Sequence, residues 1–152
     1  MCFILKNPIL NSSFLDFKII NIKNAEKILS DCQGNSASAI FIGFLKEDEA
    51  KLDFLTKILS AVKLNLNTDV CYLIKTKEND FSFSTLNVDN RFDKAIFFGI
   101  PPQKVGLQIN YLKYRLFKIS NCQYLFADDL STIAQNQQKK KLLWQALQVL
   151  FK

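Results

Sequence analysis

The chain has 152 residues, 49% of them hydrophobic, with only four glycines and three prolines, which is the make-up of one globular domain and excludes a disordered or fibrous protein. It contains no histidine, and Cys2, Cys32, Cys71 and Cys122 stand too far apart for a zinc module, so neither a metal nor another cofactor is expected. The net charge of +6 rests on lysine, with arginine only at Arg91 and Arg115; this permits weak nucleic-acid contact without the arginine forks of base readout.

In chain order, Met1-Cys2-Phe3-Ile4-Leu5 is apolar but is cut off by Lys6 and Pro8, unlike a secretory leader. The longest apolar run, Ala37 to Leu45, is far short of the roughly 20 residues that span a bilayer. A cytoplasmic protein with no membrane partner is expected. Phe17 to Ile22 predicts a first strand, and Asn24 caps a short helix through Ala25, Ile28 and Leu29 that stops near Gly34. Ala37 to Phe44 is nearly continuous in apolar residues, as in a strand covered on both faces. Glu47 to Leu64 predicts a helix with acids in its first turn and a stripe of Leu52, Leu55, Ile58, Leu59 and Val62.

Asn65 to Asp69 breaks that helix, and Val70 to Ile74 is a second buried-type strand. Phe81 to Val88 fits either a strand or a short helix. Lys94 to Gly99 is a core strand that Pro101 and Pro102 force out of the sheet, and Val105-Gly106-Leu107 follows as a turn. Tyr114 to Ile119 and Gln123 to Ala127 are extended pieces parted by Ser120-Asn121. Asp128 or Asp129 caps a helix from Leu130 to Ala134. The last helix starts near Asn136, with a stripe of Leu143, Ala146, Leu147 and Leu150 widened by Leu142 and Val149. The alternation predicts a three-layer α/β/α fold with a mostly parallel sheet of about four to five strands. Residues 17–152 form the domain, and residues 1–16 are an apolar segment that either packs as an edge element or docks on a partner.

Few residues suggest chemistry. Gly43 and Gly99 stand alone after strands, so no phosphate-binding loop can be written. Asp48 with Glu49, and Asp128 with Asp129, could serve a metal or acid–base work, but each pair precedes a helix and reads as a cap. Cys71 and Cys122 read as small buried hydrophobes. Lys139, Lys140 and Lys141 read as a solvated helix opening, with DNA phosphate or an acidic partner as the functional alternative. Trp144, the only tryptophan, reads first as core and second as an interface anchor. As an anchor it joins Phe3, Ile4, Leu5, Ile9 and Leu10 as the candidate partner-binding residues. No catalytic residue is assigned.

The most specific pattern is a strand, an acidic cap and a Lys-Lys-x-Leu-Trp helix: Tyr124 to Leu130, then Lys139 to Phe151. The order starts from Ala39-Ile40-Phe41-Ile42, then Leu52 to Leu59 and Val70-Cys71-Tyr72-Leu73. It ends with Asp129-Leu130-Ser131 and Lys141-Leu142-Leu143-Trp144-Gln145-Ala146-Leu147, and it resembles the psi subunit of bacterial DNA polymerase III over roughly residues 37–151. The resemblance implies a three-layer α/β/α fold and a non-catalytic accessory of the clamp loader. It implies that the globular domain pairs with a chi-like protein and that Met1 to Phe14 tethers the clamp loader. Contact with DNA would be indirect, through single-stranded-DNA-binding protein. The same layout is also similar to the uracil-DNA glycosylase superfamily. In this chain Gly43-Phe44-Leu45-Lys46 and Gly99-Ile100-Pro101-Pro102 occupy strand ends comparable to those that carry the superfamily's chemistry, although its histidine is missing, so a DNA-processing enzyme or a degenerate relative of one is the alternative. A base-excising enzyme needs a polar pocket for the extruded base, which Phe44, Leu45 and Ile100 do not supply.

Overall fold

A computed structural model describes residues 26–76, 82–87 and 89–152. The strand expected at Phe17 to Ile22, the Asn24 cap and the whole 1–16 segment lie outside the described residues. Among the described residues six strands make one sheet: β1 (Gln33–Gly34), β2 (Ile40–Leu45), β3 (Cys71–Lys75), β4 (Lys94–Phe98), β5 (Phe117–Ile119) and β6 (Cys122–Ala127). Their order across the sheet is β1-β3-β2-β4-β6-β5. The inner four are parallel, and β1 and β5 add antiparallel edges. The fold is α/β.

The inner strands are apolar in nearly every position because each has a covered face on both sides. Parallel register aligns Ile42 with Tyr72 and Ile96, and Ile96 with Leu125, in one row of the first face. That face is covered by α1 (Leu52–Ala61), α3 (Leu130–Ala134) and α4 (Gln137–Leu150), through Leu55, Leu59, Leu130, Ile133, Leu143 and Leu147. Among the described residues the opposite face has less helix: residues 26–31, the single turn α2 (Phe83–Leu86) and a 3₁₀ turn at Pro102–Val105. Phenylalanine fills the space there. Phe41 meets Phe83 and Phe92 at 5.2 Å each, Phe83 meets Phe97 edge-on at 5.5 Å, and Phe97 stacks on Phe126 at 5.1 Å.

Several expectations shift. The residues before Leu52 form a 3₁₀ helix, Lys46–Lys51, so the α-helix expected from Glu47 begins later and ends at Ala61. Gly34 does not stop a helix; it takes φ +80° within β1, opposite Cys71, where a Cβ would lie 2.3 Å from the Val70 carbonyl oxygen. The helix before it ends at residue 31. Within the stretch Phe81 to Val88, of which residues 82–87 are described, the helix reading holds as α2, capped by Ser82, whose hydroxyl accepts from the Thr85 amide at 3.2 Å. The extended piece expected from Tyr114 begins only at Phe117, because Tyr114 has φ 64°. Leu130–Ala134 forms the short helix as expected, and Asn136 caps α4 by accepting from the Lys139 amide at 3.1 Å. Leu143, Ala146, Leu147 and Leu150 are buried, but Leu142 and Val149 are exposed. A narrower stripe suffices because α4 covers the sheet from one side only.

Candidate protein-binding groove

At the carboxyl ends of the strands, β2, β4 and β6 bring three turns together. Gly99 follows β4 with φ +73°, and a Cβ there would lie 2.8 Å from Asp129 Cβ and 3.2 Å from Leu45 Cδ1. The chain order of the parallel strands reverses between β2 and β4, the point where open α/β sheets usually leave a ligand crevice. Here a side chain of the protein reaches across it. Asp48, buried at 2% exposure, accepts from the Leu130 amide at 2.8 Å, the Ser131 amide at 3.3 Å and the Ser131 hydroxyl at 2.7 Å. Asp129 accepts from the Thr132 amide at 3.1 Å and the Thr132 hydroxyl at 2.7 Å. Two carboxylates therefore hold the first turn of α3, where unpaired amides attract negative charge. The capping expected of Asp129 occurs in place; Asp48 caps a helix 82 residues away and not the one it precedes.

The neighbouring Asp128 does different work. Its carboxylate accepts from Lys113 Nζ at 2.6 Å and the Tyr114 hydroxyl at 2.7 Å, and pairs with Lys139 Nζ at 3.2 Å. Partial burial pushes its carboxyl up, but the hydrogen bonds from Lys113, Tyr114 and Lys139 outweigh burial and hold it at about 2. The same bond from Lys113 raises that lysine, while burial and then Asp128 raise the Tyr114 hydroxyl. This cluster ties the end of β6 to the first turn of α4.

With α3 and α4 held in this way, a groove opens between α1 and α4, with α3 touching both. It encloses about 220 Å³ and is lined by Phe54, Lys57, Ile58 and Ala61 from α1. Lys140, Leu143, Trp144 and Leu147 line it from α4, and Ile133 from α3. Both long helices use the spacing i, i+3, i+4, i+7, so each gives one face to the groove. Ile133, Leu143 and Leu147 are buried and form the floor. Phe54 and Ile58 are half-buried walls, and Lys57 and Ala61 are exposed on the rim. Lys140 Nζ stands 5.9 Å from the centre of the Phe54 ring, a cation–π contact of about 0.5–1 kcal/mol at such a site. Among the described residues no carboxylate lines the groove.

Trp144 is 42% exposed at this groove, so the first reading of it as core is corrected. The helix turns by about 100° per residue, which places Trp144 just past the edge of the stripe that Leu143 and Leu147 bury. The lysine run divides three ways along the same turn: Lys139 to Asp128, Lys140 to Phe54, and Lys141 to solvent. Phe3, Ile4, Leu5, Ile9 and Leu10 lie outside the described residues. Sequence reasoning missed Phe54, Lys57 and Ala61 as partners of Trp144. The available signal was the helical spacing of Phe54, Lys57, Ile58 and Ala61 beside the main stripe of α1.

Cys71 and Cys122 are buried as expected, and Cys32 is partly buried with its thiol donating to the Ile28 carbonyl oxygen at 3.2 Å. Burial raises the Cys122 thiol to about 11. Among the described residues no group of histidine, cysteine, aspartate and glutamate is placed to hold a metal ion. Among them, too, no helix is long and apolar enough to cross a membrane. No family model matches this chain, and no curated protein matches it.

Proposed function

We propose that this chain is a non-catalytic interaction subunit of the DNA replication machinery, acting like the psi subunit it resembles and linking the clamp loader to a chi-like partner in the cytoplasm. Its contact with DNA is indirect, through single-stranded-DNA-binding protein. The supporting observation is Trp144. The tryptophan of the Lys-Lys-x-Leu-Trp helix stands in an open apolar groove, and tryptophans in such settings are typical anchors of protein interfaces. Two of the segments that carry the resemblance contribute to its lining, Leu52 to Leu59 through Phe54, Lys57 and Ile58, and Lys141 to Leu147 through Leu143, Trp144 and Leu147.

The test is capture of purified clamp-loader subunits and a chi-like protein by the full-length chain. Binding of at least one at micromolar concentration is expected, and Trp144→Ala should weaken capture through this groove by about tenfold or more. Failure to hold either protein at micromolar concentration would remove the reading. The doubly wound strand order favours a second one, a glycosylase-like DNA-processing enzyme. Incubation with uracil-containing single- and double-stranded DNA decides it; excision at high enzyme excess would put the enzyme first.

A further inference from the structure

The groove between α1 and α4 has a chemistry of its own, which specifies what can sit in it. Its volume, about 220 Å³, falls below the roughly 300–1,000 Å³ typical of small-molecule sites. That size suits one or two apolar side chains presented by another chain. Its length follows from the helices: the lining of each spans eight residues, from Phe54 to Ala61 and from Lys140 to Leu147, or about 10 Å over the seven steps of α-helical rise between them. That is the footprint of a short segment, not of a whole protein face.

Charge then selects among segments. Among the described residues, the charged ones lining the groove are Lys57, on the rim contributed by α1, and Lys140, from α4. The rest of α4 carries the same sign: Lys139 and Lys141 flank Lys140, and α4 contains no acidic residue. Lys139 is already paired with Asp128 and Lys141 is exposed, so among the described residues Lys57 and Lys140 are the cations left facing the groove. Lys140 rests over the Phe54 ring, a contact of the ammonium with an aromatic face that leaves its hydrogen-bond donors for a carboxylate. A lysine is a compact charge on a flexible stem, so the pair can meet acids on either side of an apolar anchor. An approaching basic segment would instead be repelled from both walls.

We propose that the α1–α4 groove binds an acidic segment of a partner protein, with one or two apolar side chains seated on Ile133, Leu143 and Leu147 beside Trp144 and carboxylates paired with Lys57 and Lys140. This deepens the interaction-subunit reading and rests on it for the existence of a partner. The chemistry of the occupant is tested separately.

Trp144 is the chain's only tryptophan, so its fluorescence reports the groove directly. The full-length protein is titrated with a synthetic peptide in which aspartates flank a Leu-Phe pair, and with a counterpart in which lysines replace the aspartates. The acidic peptide is expected to shift the emission saturably and to bind about tenfold more tightly than the basic one at low salt, with the gap closing as salt rises. Lys57→Glu with Lys140→Glu should reverse the order of the two peptides. Lys57→Glu alone, at an exposed position, should narrow it. Equal affinity for both peptides, or no saturable response, overturns the proposal. So does displacement of the acidic peptide by protein self-association in sedimentation at the same concentrations, since a second copy would then be the occupant. A single-stranded oligonucleotide that shifts Trp144 more strongly than the acidic peptide overturns it in favour of nucleic acid. If capture of replication proteins succeeds while the peptides fail, the acidic occupant is refuted and the subunit reading stands.

Discussion

Asp48 is the most informative single position for stability. Its carboxylate is buried and accepts three hydrogen bonds from the first turn of α3: two from amides, Leu130 and Ser131, and one from the Ser131 hydroxyl. Asp48→Ala leaves the buried Leu130 amide without an acceptor and frees two donors of Ser131, which is only partly buried. A hydrogen bond to a charged group contributes about 1.5–3 kcal/mol, and the loss of a helix cap costs about 1 kcal/mol. Counting Leu130 fully and Ser131 in part, the substitution should cost about 3 kcal/mol. A domain of this size has only about 5–15 kcal/mol to lose. Urea unfolding followed by far-ultraviolet circular dichroism and by Trp144 fluorescence measures the change. The midpoint should fall with little change in the denaturant slope, since the same surface is exposed on unfolding. Asp48→Asn keeps one acceptor for Leu130 and should cost about half as much. Ser131→Ala removes only the hydroxyl bond, for about 1 kcal/mol, and the Asp48→Ala and Ser131→Ala pair should be non-additive. Because Ile133 of α3 floors the groove, Asp48→Ala should also weaken whatever binds at Trp144. An Asp48→Ala protein within about 0.5 kcal/mol of the parent would refute the reasoning, because surface acids behave that way and bridging caps do not.

Four further substitutions have expected outcomes. Leu143→Ala, at 2% exposure, should cost about 2–5 kcal/mol through a cavity. Trp144→Ala should cost less than about 1.5 kcal/mol, because much of its ring is already in water. Circular dichroism compares the two, and equal costs would place Trp144 in the core. Asp128, held at about 2, should stabilise the fold fully above the pH at which an unfolded aspartate titrates, and that contribution should drain away as pH falls towards 2. The linkage limit is about 2.5 kcal/mol, reduced to about 1 kcal/mol because Lys113 is half exposed and its pairing is screened. Asp128→Asn should therefore flatten the acid limb of the stability curve, and an unchanged limb would remove Asp128 as its source. Gly99→Ala meets both a left-handed φ and the Asp129 side chain, and should cost about 2 kcal/mol or more. A thermal midpoint within about 2 °C of the parent would contradict it.

What the residues alone determined was local. The inner strands were legible because a strand covered on both faces needs apolar residues in succession, and Ala37 to Phe44, Val70 to Ile74 and Lys94 to Gly99 have them. Leu130–Ala134 and the buried stripe of α4 were legible because a cap and a 3.6-residue period are written in neighbouring positions. The antiparallel edges, the partner of Asp48 and the surroundings of Trp144 were not, since each depends on residues far away in the chain. Nothing near Asp48 says that its acceptors will serve amides 82 residues later. Nothing near Trp144 says that Phe54, Lys57, Ile58 and Ala61 of α1 will line a groove beside it. Periodicity gives the direction of a side chain from its own helix, whereas burial depends on what another element brings to meet it, and that was decided by the tertiary structure alone.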